Sequence, residues 1–332
     1  MRSDPFTFKA DDGKELFVYR WRPEGARPVS RPPGAGAEST GARPVSRPPG
    51  AAKAVVHVAH GMAEHAARYE RLAEALTAAG YVVYANDHRG HGKTARTDAE
   101  LGFFASSGGF RRVQRDIEQL IDLEKQENPG LPVVLFGHSM GSFLAQAIMI
   151  ERGHDLGGVV LSGSSGKPGA LASVGKVLAR VERVRLGERG KSSFLDKMSF
   201  DRFNAAFQPS RTGFDWLSRD EAEVDKYIAD PRCGFVCAAS LWVDLLDALG
   251  QISAPERQAR IPKDLPVYIF SGSRDPVGEN TKSLEQLLGA YRRAGLRAVK
   301  HRFYPNGRHE MLNETNREEV TRELITWLDA TV

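Results

Sequence analysis

Short apolar runs rich in valine, isoleucine and aromatic residues recur at residues 55–59, 81–85, 133–136, 159–162, 267–270 and 301–304. Runs this short and this apolar predict strands covered on both faces. Between most of them the apolar residues fall at helical spacing, over 69–79, 110–127, 142–152, 283–294 and, near the end of the chain, 313–330. The alternation predicts an α/β fold, a mostly parallel sheet with helices on both faces. Ahead of it, Phe6-Thr7-Phe8 and the run 15–21 flank Asp11-Asp12-Gly13-Lys14, the turn chemistry of a hairpin. Roughly a hundred residues separate Ser162 from Val267, too many for one crossover, so a helical lid inserted over 163–262 is expected.

Inside that insertion Leu171, Val174, Val177, Leu178, Val181 and Val184 follow helical spacing, with Lys176, Arg180, Arg183 and Arg185 on or near the other face. The simpler expectation is a helix that packs its apolar stripe on the core and leaves its basic face in water. A basic amphipathic lid making transient contact with a membrane surface is the alternative. A second helical stretch, 235–249, carries Trp242, Leu245 and Leu246 and is placed as the lining or cover of a cleft.

Composition changes the picture at one place. Residues 25–35 recur without change at 41–51, and the 27 residues from 25 to 51 hold 6 prolines and 5 glycines with almost nothing apolar. Such a stretch cannot bury enough surface to offset its ordering entropy and is expected to be a disordered loop. It also carries most of the +4 formal charge, through Arg27, Arg31, Arg43 and Arg47 against Glu38. The remainder is nearly balanced, which argues against nucleic acid as a partner. The expected parts are therefore a hairpin (1–24), the loop (25–51), the core (52–162 and 263–332) and the lid between them. No run of about 18 apolar residues and no apolar leader stands at the start, so a soluble, cytoplasmic protein is expected. Cys233 and Cys237, read as lying on one helix, are expected to be reduced core thiols.

The candidate chemistry begins at Gly137-His138-Ser139-Met140-Gly141, between a predicted strand and a predicted helix. Glycines two before and two after the serine leave room for a cramped turn that holds its hydroxyl above a sheet, making Ser139 a candidate nucleophile. Such a hydroxyl needs a base, and the base an orienting acid. In an open parallel sheet those groups lie beyond the carboxyl ends of the strands. Asp275 follows the run 267–270, and His309 follows 301–304. The order Ser139, Asp275, His309 is the one this architecture uses. His301 is placed at a strand start, the wrong edge; His138 is expected to point away from Ser139; Glu279 and Glu310 are displaced from the strand ends. Oxyanion donors are expected at the backbone N–H groups of Met140 and of Met62, in the loop His60-Gly61-Met62-Ala63-Glu64-His65. A metal cluster on His60, Glu64 and His65 is the weaker reading, since no distant ligands are identifiable. Asp87-His88-Arg89-Gly90-His91-Gly92 is read as a turn shaping the crevice.

Together HGMAEH (60–65), DHRGHGKT (87–94), GHSMGS (137–142), SGSRDPVG (271–278) and YPNGRHEMLNE (304–314) resemble the monoacylglycerol lipase and lysophospholipase-like α/β-hydrolases, grouped with the serine aminopeptidase S33 domain. The resemblance runs from about Phe6 to Leu328 and implies an α/β-hydrolase fold. It implies Ser139 as nucleophile, Asp275 as acid, His309 as base, and Met62 and Met140 as oxyanion donors. It further implies hydrolysis of a small acyl ester, a monoacylglycerol or lysophospholipid, with no metal or organic cofactor and no obligate protein partner. The duplicated loop falls outside the family pattern. A binding protein that kept the fold without turnover, or a peptidase or thioesterase, are the alternatives.

Overall fold

A computed structural model describes residues 1–25 and 52–332, so the duplicated segment, from residue 26, lies outside the described residues. The chain opens with β1 (Arg2–Ser3), β2 (Phe6–Lys9) and β3 (Glu15–Arg22), then β4 (Val55–Ala59), α1 (Glu70–Ala78), β5 (Val82–Asn86), α2 (Gly109–Glu127), β6 (Val133–His138), α3 (Met140–Arg152) and β7 (Gly158–Ser162). Five helices follow before the next strand: α4 (Ala170–Leu186), α5 (Ser193–Ala205), α6 (Glu221–Ala229), α7 (Ala239–Ile252) and the single turn α8 (Pro255–Gln258). The last part is β8 (Val267–Gly272), α9 (Lys282–Arg293), β9 (Val299–Tyr304) and α10 (Arg317–Asp329).

One sheet runs β1-β3-β5-β4-β6-β7-β8-β9, with β2 also on β3. From β5 to β9 every neighbour is parallel, and the N-terminal hairpin joins the β5 edge antiparallel. Successive residues of a strand serve opposite faces, and the two cores divide accordingly. Val55, Val133, Leu135, Val159, Leu161, Val267 and Ile269 pack with α2, α3 and α9. Val56, Val58, Val134, Phe136, Val160, Tyr268 and Phe270 pack with α1 and α10. That two-sided cover is why the strands read as continuous apolar runs rather than alternating ones.

Two readings change inside the segment between β7 and β8. Val174, Val177, Val181 and Val184 are 57%, 59%, 56% and 84% exposed, so the valine stripe of α4 faces outward rather than onto the core. The side that meets α7 includes Gly175, where an added Cβ would lie 3.8 Å from Leu246, and Lys176 and Arg180, which pair with Asp247; Ala179 and Glu182 are buried. Cys233 and Cys237 are buried free thiols, but they lie in the irregular stretch before α7, whose first turn is Ala239 and not Phe235. The intervening Gly234 has φ +66°, which an α-helix does not allow. Among the described residues no helix is long and apolar enough to cross a membrane.

Candidate active site

The strand order turns at β4. From β4 the chain passes to β5 on one side and then to β6 on the other, which opens a crevice beyond their carboxyl ends. Ser139 stands in that crevice directly after β6, with φ +50° and ψ −119°. A backbone forced into this region persists only where its surroundings over-determine it. Here the Ser139 N–H donates to the Ser162 carbonyl (2.9 Å) and the Ser142 hydroxyl to the Ser139 carbonyl (2.6 Å). A Cβ on Gly141 would collide with the Ala59 carbonyl, and one on Gly137 with the Gly141 carbonyl. The two glycines of the pentapeptide are thus required by close approach.

Asp275 and His309 meet from the ends of β8 and β9. His309 Nδ1 lies 3.0 and 3.1 Å from the two Asp275 carboxylate oxygens. The carboxylate also accepts from the Ser271 hydroxyl (2.7 Å) and the Val277 N–H (2.9 Å). Burial works to raise the Asp275 pKa, yet His309 and these two donors overcome it and hold the group below its ordinary value. For His309, burial works downward, but the charge and hydrogen bond of Asp275, joined by Glu310 and Glu64, hold the imidazole above its ordinary value. With Nδ1 committed to Asp275, Nε2 is the ring nitrogen left for the crevice.

Ser139, Met62, Met140 and His309 border one cavity of about 230 Å³, whose far wall is Phe143, Phe200, Phe203, Trp242, Leu245 and Leu249. Trp216 lies against the His309 ring, with centroids 4.9 Å apart. The His138 ring packs against that of His309 with centroids 4.8 Å apart, and its Nδ1 sits 3.2 Å from the Ser162 hydroxyl. Burial and the neighbouring His309 pull the His138 pKa down to about 4, leaving a neutral ring there. His301 lies within β9, two residues past its start, and is exposed. Glu279 stays outside the cavity lining, whereas Glu310 is clamped by Arg68 through two contacts of 2.7 Å.

The loop after β4 is held by side chains. Gly61 N–H donates to Glu64 Oε1 (2.5 Å), and Ala63 N–H to His91 Nε2 (3.2 Å). Among the described residues the Met62 N–H between them makes no hydrogen bond, and neither does that of Met140 at the first position of α3, where a helix leaves its N–H groups unmet. His60, Glu64 and His65 do not converge as metal ligands. Glu64 is engaged by Gly61, Tyr69 and Arg68, and His65 Nε2 lies 2.8 Å from Asp230. Among the described residues His65, Asp230 and Cys233 bring donor atoms within 4.8 Å of one another, beside the Arg68 cation. Sequence reasoning missed Trp216, Phe200 and Phe203, which reach the crevice from the segment before α7 and carry no local signal of doing so.

The family model described as serine aminopeptidase, S33, matches residues 50–316. The Monoglyceride lipase of Homo sapiens is 31% identical over 92% of this chain and 86% of its own length. The Monoacylglycerol lipase of Mycolicibacterium smegmatis is 29% identical over 83% and 88%. Among solved structures, a highly thermostable carboxyl esterase from Bacillus coagulans in complex with glycerol superposes with a TM-score of 0.85 at 24% identity, covering 100% of this chain and 99% of that one.

Proposed function

The chain belongs to the serine aminopeptidase S33 family and is an ester-hydrolysing enzyme with the α/β-hydrolase fold; from that premise we propose that it cleaves monoacylglycerols through an acyl-enzyme on Ser139. The observation that carries the reading is the crevice itself, a serine, a carboxylate-bound imidazole and two unengaged backbone N–H groups on one apolar cavity. His309 Nε2 takes the Ser139 proton as Oγ attacks the ester carbonyl. The N–H groups of Met62 and Met140 receive the oxyanion. Collapse expels glycerol, which takes the proton from His309. Water, deprotonated by the same nitrogen, then releases the fatty acid and restores Ser139. The apolar wall of Phe200, Phe203, Trp242, Leu245 and Leu249 suits an alkyl chain, and the substrate named for the human and mycobacterial relatives is of that kind.

The exposed stripe of α4 supports contact with the surface that carries such a substrate. Val174, Val177, Val181 and Val184 form one apolar row, Phe194 and Met198 of α5 extend the exposed apolar area, and Arg180 and Arg185 lie exposed on the same helix, paired with Asp247 and Glu182. The α5 residues Ser199 and Phe200 also border the cavity, so this part of the molecule joins the outer surface to the site.

The test is hydrolysis of monoacylglycerols, lysophospholipids, acyl thioesters and aminoacyl amides by the wild type and by Ser139→Ala, with fluorophosphonate labelling alongside. Labelling and monoacylglycerol turnover should both vanish in the folded variant, a loss of about 10⁶ in kcat. Undiminished hydrolysis by folded Ser139→Ala would overturn the assignment, and a clear preference for thioester or amide would overturn the substrate.

A further inference from the structure

The histidine-rich turn after β5 is left without a role by the mechanism above, yet it touches the loop on which the mechanism depends. Within the loop after β4, Ala63 holds a left-handed backbone at φ +53°, a conformation unfavourable for a residue with a Cβ. It is gripped on both sides. Its carbonyl accepts from the Tyr227 hydroxyl (2.9 Å) and the Gly234 N–H (2.9 Å), both in the segment between β7 and β8. Its N–H donates to His91 Nε2 at 3.2 Å. The other ring nitrogen of His91, Nδ1, lies 2.9 Å from the Arg89 carbonyl, which can only accept. The proton therefore sits on Nδ1, and Nε2 presents a lone pair to Ala63. The ring is fully buried, with His60, Phe104 and Phe235 within 5.2 to 5.6 Å of its centroid.

The consequence concerns Met62. Gly61 N–H is consumed by Glu64 and Ala63 N–H by His91, so of the three successive donors the middle one is left for the cavity. An N–H that bonds elsewhere cannot bind an oxyanion, and a loop free to rotate would present the wrong donor. We infer that His91 is a positioning residue for ester hydrolysis: as the Nδ1–H tautomer it accepts the Ala63 N–H and so fixes the loop that aims the Met62 N–H at the developing oxyanion. This rests on the acyl-enzyme reading above. His91 does not touch substrate.

His91→Phe keeps a ring in the pocket and removes the acceptor, whereas His91→Gln can set an amide oxygen near the place of Nε2. With a soluble aryl ester, His91→Phe should lower kcat about 30-fold while KM stays within about twofold, part of the 10²–10³ lost when an oxyanion donor is removed outright. His91→Gln should recover most of that loss, and both should keep wild-type KM. An unchanged kcat in folded His91→Phe, an equal loss in both variants, or a loss expressed in KM alone would overturn the proposal. Nitrogen-15 NMR of the wild-type protein gives an answer even where a variant does not fold, because a His91 ring protonated on Nε2 also overturns it. Failure of the underlying reading is separate, since that would appear as hydrolysis surviving Ser139→Ala.

Discussion

At the residue scale the chemistry turns on how Asp275 conditions His309. In the mechanism proposed above His309 must be neutral to accept the Ser139 proton, and Asp275 favours its charged form, so kcat/KM should rise with pH through an apparent pKa above the ordinary imidazole value of about 6.5. Asp275→Asn removes the charge and leaves Nδ1 facing an amide. It should move that acid limb to lower pH and cut kcat by about 10⁴, which a pH-rate profile of the two proteins measures. An acid limb unmoved by the substitution would show that another group sets it. These residues were legible because strand ends are legible: Ser139, Asp275 and His309 each follow an apolar run by a few positions. The contact of His138 with His309 is not legible in the same way, because adjacency to Ser139 says which way the backbone alternates, not which ring it meets across the crevice. Trp216 and Ala63 owe their roles to contacts some ninety and thirty residues away in sequence, through His309 and His91.

At the element scale α4 marks the limit of periodicity. The valine spacing identified the helix and its apolar stripe, but a stripe does not say what covers it. Contact with α7 through Gly175, Lys176 and Arg180 leaves the valines looking outward. Replacing Val174, Val177, Val181 and Val184 together with serine should leave Tm nearly unchanged, since exposed positions contribute little to folding. Turnover of a soluble aryl ester should also hold. Partition onto anionic vesicles should fall roughly 10²-fold, at about 0.7 kcal/mol for each valine partly withdrawn from water. Co-sedimentation reads the partition, and equal binding by both proteins would remove α4 from the contact.

At the scale of the whole molecule, the segment between β7 and β8 is anchored through arginine–carboxylate pairs on its α6 side. Arg71 meets Glu223, Arg219 meets Glu314, and Arg317 meets Asp220, at 3.0, 2.9 and 2.6 Å. Glu314 is fully buried and also accepts the backbone N–H groups of Arg219, Arg308 and Thr315, which ties this anchor to the loop bearing His309. Glu314→Gln leaves buried donors poorly met and should cost about 2 kcal/mol, a fall in Tm of roughly 3 °C by differential scanning. An unshifted Tm would mean the anchor contributes nothing net. The sequence carried the sheet, its helices and the insertion point, while the anchor depended on side chains far apart along the chain. The outward valine row carries a last implication. Under the surface contact proposed above, a protein adsorbed by that row searches for substrate in two dimensions, so its rate is governed by the mole fraction of substrate within a lipid layer. Diluting the same quantity of substrate with inert lipid should slow turnover while the bulk concentration stays constant.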